Sequence, residues 1–115
     1  MAKLNNDLEI EIDGEKYALR ASSNAASTIS NRFNGFVGAF QALQMLDLSV
    51  VQFIIRTGIT DKNISTKDLN EAVWRTGVGE LTGTLAKYVS RLQNGGRDPN
   101  EEAAGGDDEG SEGNE

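Results

Sequence analysis

The stretch FVGAFQALQMLDLSVVQFII, residues 36–55, carries 14 apolar side chains in 20 positions of a 115-residue chain, and any fold this chain adopts must cover them. The stretch is long enough to cross a bilayer, but Gln41, Gln44, Asp47 and Gln52 fall through it, where hydrocarbon offers polar groups no partner. It therefore reads as helix packed within a protein, not as a membrane span. Before Asp47, residues Phe36, Ala39, Phe40, Leu43 and Leu46 recur at helical spacing. Asp47 itself suits the N-cap of a second segment, LSVVQFIIRTG, which Gly58 ends. Apolar residues lie nearly all round this second segment, as in an element covered on more than one side. Its β-branched run leaves a strand open as an alternative, while the Asp cap and the closing Arg56-Thr57-Gly58 favour helix.

Upstream, residues 8–21 (LEIEIDGEKYALRA) alternate apolar and polar around Asp13-Gly14, the strongest short signal for a two-residue hairpin turn. Such a turn sets Ile12 opposite Glu15, Glu11 opposite Lys16, Ile10 opposite Tyr17 and Leu8 opposite Leu19. The apolar pairs then share one face, with Glu11 and Lys16 on the other. A lone hairpin is marginal in water, so this apolar face needs a helix or another chain against it. Ser22, Ser23 and Asn24 are suited to cap a short helix carrying Ala25, Ala26, Ile29 and Phe33, closed by Asn34-Gly35. Further on, Ser65 with Asp68 resembles a capping box for a helix to Thr76 that bears Leu69, Val73 and Trp74 and stops at Gly77. Val78, Leu81, Leu85, Tyr88, Val89 and Leu92 then form one helical stripe that ends at Asn94-Gly95-Gly96. The expected fold is α+β and mainly helical: an N-terminal β-hairpin, four or five short helices, and an acidic tail. The expected domain spans 1–96. The tail, 97–115, has no large apolar residue and many like charges, and is expected to be disordered.

The charge is divided accordingly. Of 18 acidic residues, eight fall from Asp98 onward, where no basic residue occurs, so the body is nearly neutral despite a net charge of −7. There is no cysteine and no histidine. The first absence excludes disulfides and thiolate chemistry, and the second removes the commonest general base and metal ligand near neutral pH. An enzyme is therefore not expected, nor a metal or other cofactor. The start, MAKLNNDLEIEID, lacks the apolar core of a secretory signal, so a cytoplasmic location is expected.

Other patterns point to weaker chemistry. DLNEAVWRTGVGELTGTLAKYV has the layout of a helix-turn-helix, which makes a DNA-binding regulator one alternative reading. Against it, the second helix presents Glu80, Gly83 and threonines where base-reading side chains belong, and an acidic tail repels phosphate. DDEGSEGNE lacks the ligand spacing of a calcium loop, and Gly77-Val78-Gly79 is too short for a dinucleotide fingerprint. Ser22, Ser23 and Ser65 have no base to activate them and read as caps. Trp74 lies on a helix whose other face is polar, at the edge of the core, where aromatic residues often anchor partners.

The order of parts, with IEIDGEKYALRAS, then LDLSVVQFIIRTGI, then VGELTGTLAKYVSRLQNGG and a polar tail, resembles the small tail assembly chaperones of long-tailed bacteriophages and of gene transfer agents. The resemblance covers roughly residues 8–96 and includes no catalytic signature. It implies a non-enzymatic binding protein that coats the long helical tape measure protein while tail tube subunits assemble around it. It also implies action in the host cytoplasm, absence from the finished particle, a tendency to form homo-oligomers, and in many members a longer form made by frameshifting. Neither nucleic acid nor membrane is an expected partner. A structural tail or connector protein retained in the particle is the second alternative. A chaperone of this kind needs exposed apolar surface. The residues expected to contribute it are Phe36, Phe40, Phe53, Ile54 and Trp74, with the stretch 36–55 supplying more apolar helix than the domain covers alone.

Overall fold

The computed structural model describes residues 7–98. Two strands, β1 (Asp7–Ile12) and β2 (Glu15–Arg20), precede five helices: α1 (Ser23–Phe33), α2 (Phe36–Gln44), α3 (Leu48–Gly58), α4 (Thr66–Thr76) and α5 (Val78–Gln93). The fold is α+β and mainly helical. Beyond Asp98 the acidic tail lies outside the described residues, as does the expectation that it is disordered.

The hairpin has the register that alternation and turn predict, with Leu8 opposite Leu19, Ile10 opposite Tyr17, Glu11 opposite Lys16 and Ile12 opposite Glu15. Asp13 and Gly14 both take positive φ, 53° and 83°, as a two-residue turn matched to the strand twist requires. Lys16 forms its ion pair not with the directly opposed Glu11 but diagonally with Glu9, at 3.3 Å, within reach of a long side chain on the same face. Arg20 grips Asp7 with two nitrogens, at 3.0 and 3.3 Å. The cover that the hairpin needs comes from helices. Leu19, Ile10 and Ile12 are buried, and the turn is tied to the end of α4. There the Asp13 N–H donates to Thr76 Oγ1 at 2.6 Å, and the Asp13 carboxylate pairs with Arg75 at 3.1 Å.

Three predicted caps form. The hydroxyl of Ser22 accepts from the Ala25 N–H and that of Ser65 from the Asp68 N–H, both at 3.0 Å. Asp47 accepts from the Ser49 hydroxyl at 2.8 Å and from its N–H at 2.9 Å, and the hydroxyl and amide bonds hold its carboxyl below the ordinary range. The cap therefore wins over the β-branched run, and LSVVQFIIRTG is helix, not strand. Asn34, at φ 59°, closes α1. The corner into α2 is tight because Gly38 lies against the Phe33 carbonyl, where any Cβ would overlap it.

Packing absorbs most of the central stretch. Ala39, Leu43, Val51, Ile54 and Ile55 are all 1% exposed or less, buried with Ile29 of α1 and Leu85, Tyr88 and Val89 of α5. The expected surplus of apolar helix shrinks to a few residues, because α3 is wrapped by α1, α4, α5 and β2 together. Tyr88 sits in the middle of this core, fully buried, and its hydroxyl donates to the Arg20 carbonyl at 2.7 Å. A hydroxyl thus ties the central helix to the end of β2.

Burial pushes the Tyr88 phenol well above its ordinary value of 10.0, and the Asp7 carboxylate adds to the shift. The folded state therefore keeps a proton that the unfolded chain releases above pH 10. Stability contributed by this group is complete below that pH and falls as pH rises beyond it, by about 1.4 kcal/mol per unit. Chemical denaturation between pH 9 and 11 should show this loss, and Tyr88→Phe should flatten the slope.

Candidate interaction surface

Among the described residues, four large apolar side chains remain well exposed: Val37 at 68%, Met45 at 78%, Leu46 at 55% and Trp74 at 63%. Helical geometry explains the first two. On α2, Ala39 and Leu43 face the core, Phe36 and Phe40 flank them half-buried, and Val37, Gln41 and Met45 follow at four-residue spacing on the side turned to solvent. Val37 and Met45 thus lie on the solvent side of α2 and of the stub that follows it, while the half-buried Phe36 and Phe40 lie between the core side and Val37.

The helix ends earlier than the apolar spacing suggests. It stops at Gln44, and Met45 and Leu46 turn through hydrogen bonds to the carbonyls of Ala42 and Leu43, at 3.2 and 3.1 Å. Leu46 takes φ 57°, a left-handed conformation that bulky side chains rarely adopt. In that conformation Leu46 leaves the helical stripe and sits out at the α2–α3 corner, beside Met45.

The remaining candidates divide. Ile54 is 0% exposed and is corrected: it faces the core and takes no part in a surface. Phe53 is half-buried and covered by cations. The Arg32 guanidinium lies 4.6 Å from its ring centre and that of Arg56 lies 5.9 Å away, while Phe33 meets it edge-on at 6.0 Å. Asn70 holds this arrangement to α4 by accepting from Arg56 at 3.1 Å and, through its carbonyl, from Gln52 at 3.0 Å. Neither arginine has a carboxylate partner among the described residues. Phe53 therefore belongs to a basic patch, not an apolar one. Trp74 is exposed as expected, next to Arg75, which is occupied by Glu71 and Asp13.

Helix α5, the would-be recognition helix of the DNA-binding alternative, is the core of the domain, with Leu81, Leu85, Tyr88, Val89 and Leu92 buried. Among the described residues, no helix is long and apolar enough to cross a membrane, and no group of three or more carboxylates converges on one point. Comparison with protein-family models, curated proteins and solved structures finds no match.

Proposed function

We propose that this chain is a phage-type tail assembly chaperone: a non-enzymatic protein that binds and solubilises the tape measure protein while the tail tube assembles around it. The observation carrying this reading is the exposed set Val37, Met45, Leu46 and Trp74 on a domain that buries or half-buries every other large apolar residue described. Exposed methionine and leucine side chains suit the apolar stripe of a long client helix, since flexible side chains adapt to many such stripes. The client resides with the host cytoplasm before particles mature, and so does its chaperone.

Co-expression with the tape measure protein of the same genome should raise that protein's soluble yield. Val37→Asp with Met45→Asp should return the yield to its unassisted level, and Trp74→Ala should weaken binding by about tenfold if it anchors the client. Because these side chains are exposed, the variants should stay within roughly 0.5 kcal/mol of the parent per site, measured by chemical denaturation. Unchanged tape measure solubility with the parent protein would refute the role, and recovery of the chain in purified particles by mass spectrometry would favour a structural tail protein instead.

A further inference from the structure

The register of the hairpin decides which backbone groups face away from it. In a hairpin closed by a two-residue turn, the pair flanking the turn is hydrogen-bonded and the bonded pairs then alternate. Ile12, Ile10 and Leu8 therefore bond inward to β2, while Glu11 and Glu9 turn both N–H and C=O outward along the free edge of β1. Bonds elsewhere on the sheet obey the same alternation. The outward carbonyls of β2, on Ala18 and Arg20, accept from the Thr60 N–H at 3.0 Å and from the Tyr88 hydroxyl at 2.7 Å, and that of Asp7 accepts from Arg91 at 3.3 Å. From Ala18 to Arg20 the edge of β2 is thus covered, with Leu19 bridged to Ile59. At Glu9 and Glu11 no described residue supplies such a partner.

The Glu11 end of this bare edge lines an open cleft of about 540 Å³ between β1 and the α4–α5 corner. Its lining combines the apolar Ile10 and Leu81, the hydroxyls of Thr76 and Thr84, and the carboxylates of Glu11 and Glu80. Glu9 is paired with Lys16 and Asp13 with Arg75, but neither Glu11 nor Glu80 has a cationic partner among the described residues. A second copy of the chain is a poor occupant. Antiparallel pairing of β1 with itself would set Glu9 and Glu11 against their own like charges. We propose that the outer edge of β1 takes up an extended lysine- or arginine-bearing segment of a partner protein, which adds to the sheet as a third strand. The backbone of Glu9 and Glu11 supplies the pairing, and Glu11 and Glu80 supply the preference for basic side chains. The site shares no residue with Val37, Met45, Leu46 and Trp74, so it stands or falls apart from the chaperone reading.

The test uses the full chain and an acetylated, amidated peptide of alternating lysine and valine. Binding should slow amide exchange at Glu9 and Glu11, followed by NMR, and leave Ile10 and Ile12, already bonded within the hairpin, little changed. A peptide of alternating glutamate and valine should not bind, nor should the lysine peptide once N-methylated on the residues that would donate. Glu11→Lys with Glu80→Lys should weaken the lysine peptide by at least about tenfold and admit the glutamate peptide. Glu11→Pro, which removes one outward N–H, should also block binding. Exchange at Glu9 and Glu11 that does not respond to the lysine peptide would overturn the proposal, as would equal binding of the N-methylated form.

Discussion

Ile54→Asp should leave the domain unfolded at neutral pH and 25 °C. The side chain is fully buried, so the substitution first removes the burial and packing of a large aliphatic group, worth about 3 kcal/mol. The new carboxyl must then stay charged in the core or take up a proton. Protonation at pH 7 from an ordinary value near 4 costs roughly 4 kcal/mol more. The sum rivals the whole stability of a small domain, about 5 to 15 kcal/mol. Far-UV circular dichroism and urea titration would show the loss, and acidification toward pH 4 should recover part of the structure because the protonation cost vanishes there. Phe53→Asp, one residue away, should remain folded. Phe53 is half-buried, and a carboxylate in its place would lie near the Arg32 and Arg56 guanidiniums that now stack on the ring. If Ile54→Asp stayed as stable as Phe53→Asp, the orientation of α3 in this fold would be wrong.

That contrast shows what the sequence holds and what it hides. Apolar residues surround α3, yet Ser49, Gln52 and Arg56 recur three and four apart and mark an outer face. Phe53 borders this face, and Val51, Ile54, Ile55 and Gly58 lie opposite it, where the structure buries them. The position of Ile54 was therefore legible, though weakly, since two of the three markers are small or neutral. Trp74 was legible for the same reason, as Lys67, Glu71 and Arg75 share its side of α4. The hairpin was legible in register because alternation and Asp-Gly chemistry act over a few neighbouring residues. Other features were not readable. The Leu46 conformation breaks the helical spacing into which Leu46 falls, and the stacking of Arg32 on Phe53 joins α1 to α3 across 21 positions. The extent to which stretch 36–55 is buried depends on four surrounding elements at once, which no local pattern records.

Gly58→Ala should lower stability by about 3 kcal/mol, although in a helix alanine ordinarily gains up to about 1 kcal/mol over glycine. Gly58 is the last residue of α3, is buried, and faces the Tyr88 ring edge. A Cβ there would overlap the Tyr88 hydroxyl and lie only 2.6 Å from its Cζ, the rigid end of an aromatic ring held on all sides. Either the ring or the helix must shift. A shifted ring abandons the hydrogen bond to the Arg20 carbonyl, leaving a part-buried acceptor unmatched and loosening the end of β2 from α5. For a domain of this size the melting temperature should fall by about 12 to 20 °C. Tyr88→Phe alone should cost about 1 kcal/mol, since it deletes the bond without adding bulk. The double variant separates the causes: with the hydroxyl gone, the new methyl still meets the ring carbons Cζ and Cε2 but loses its closest contact, so Gly58→Ala should cost less in the Tyr88→Phe background than in the parent. Equal costs in both backgrounds would mean that the hydroxyl does not limit the space at Gly58, and the close approach of α3 to α5 would need another explanation.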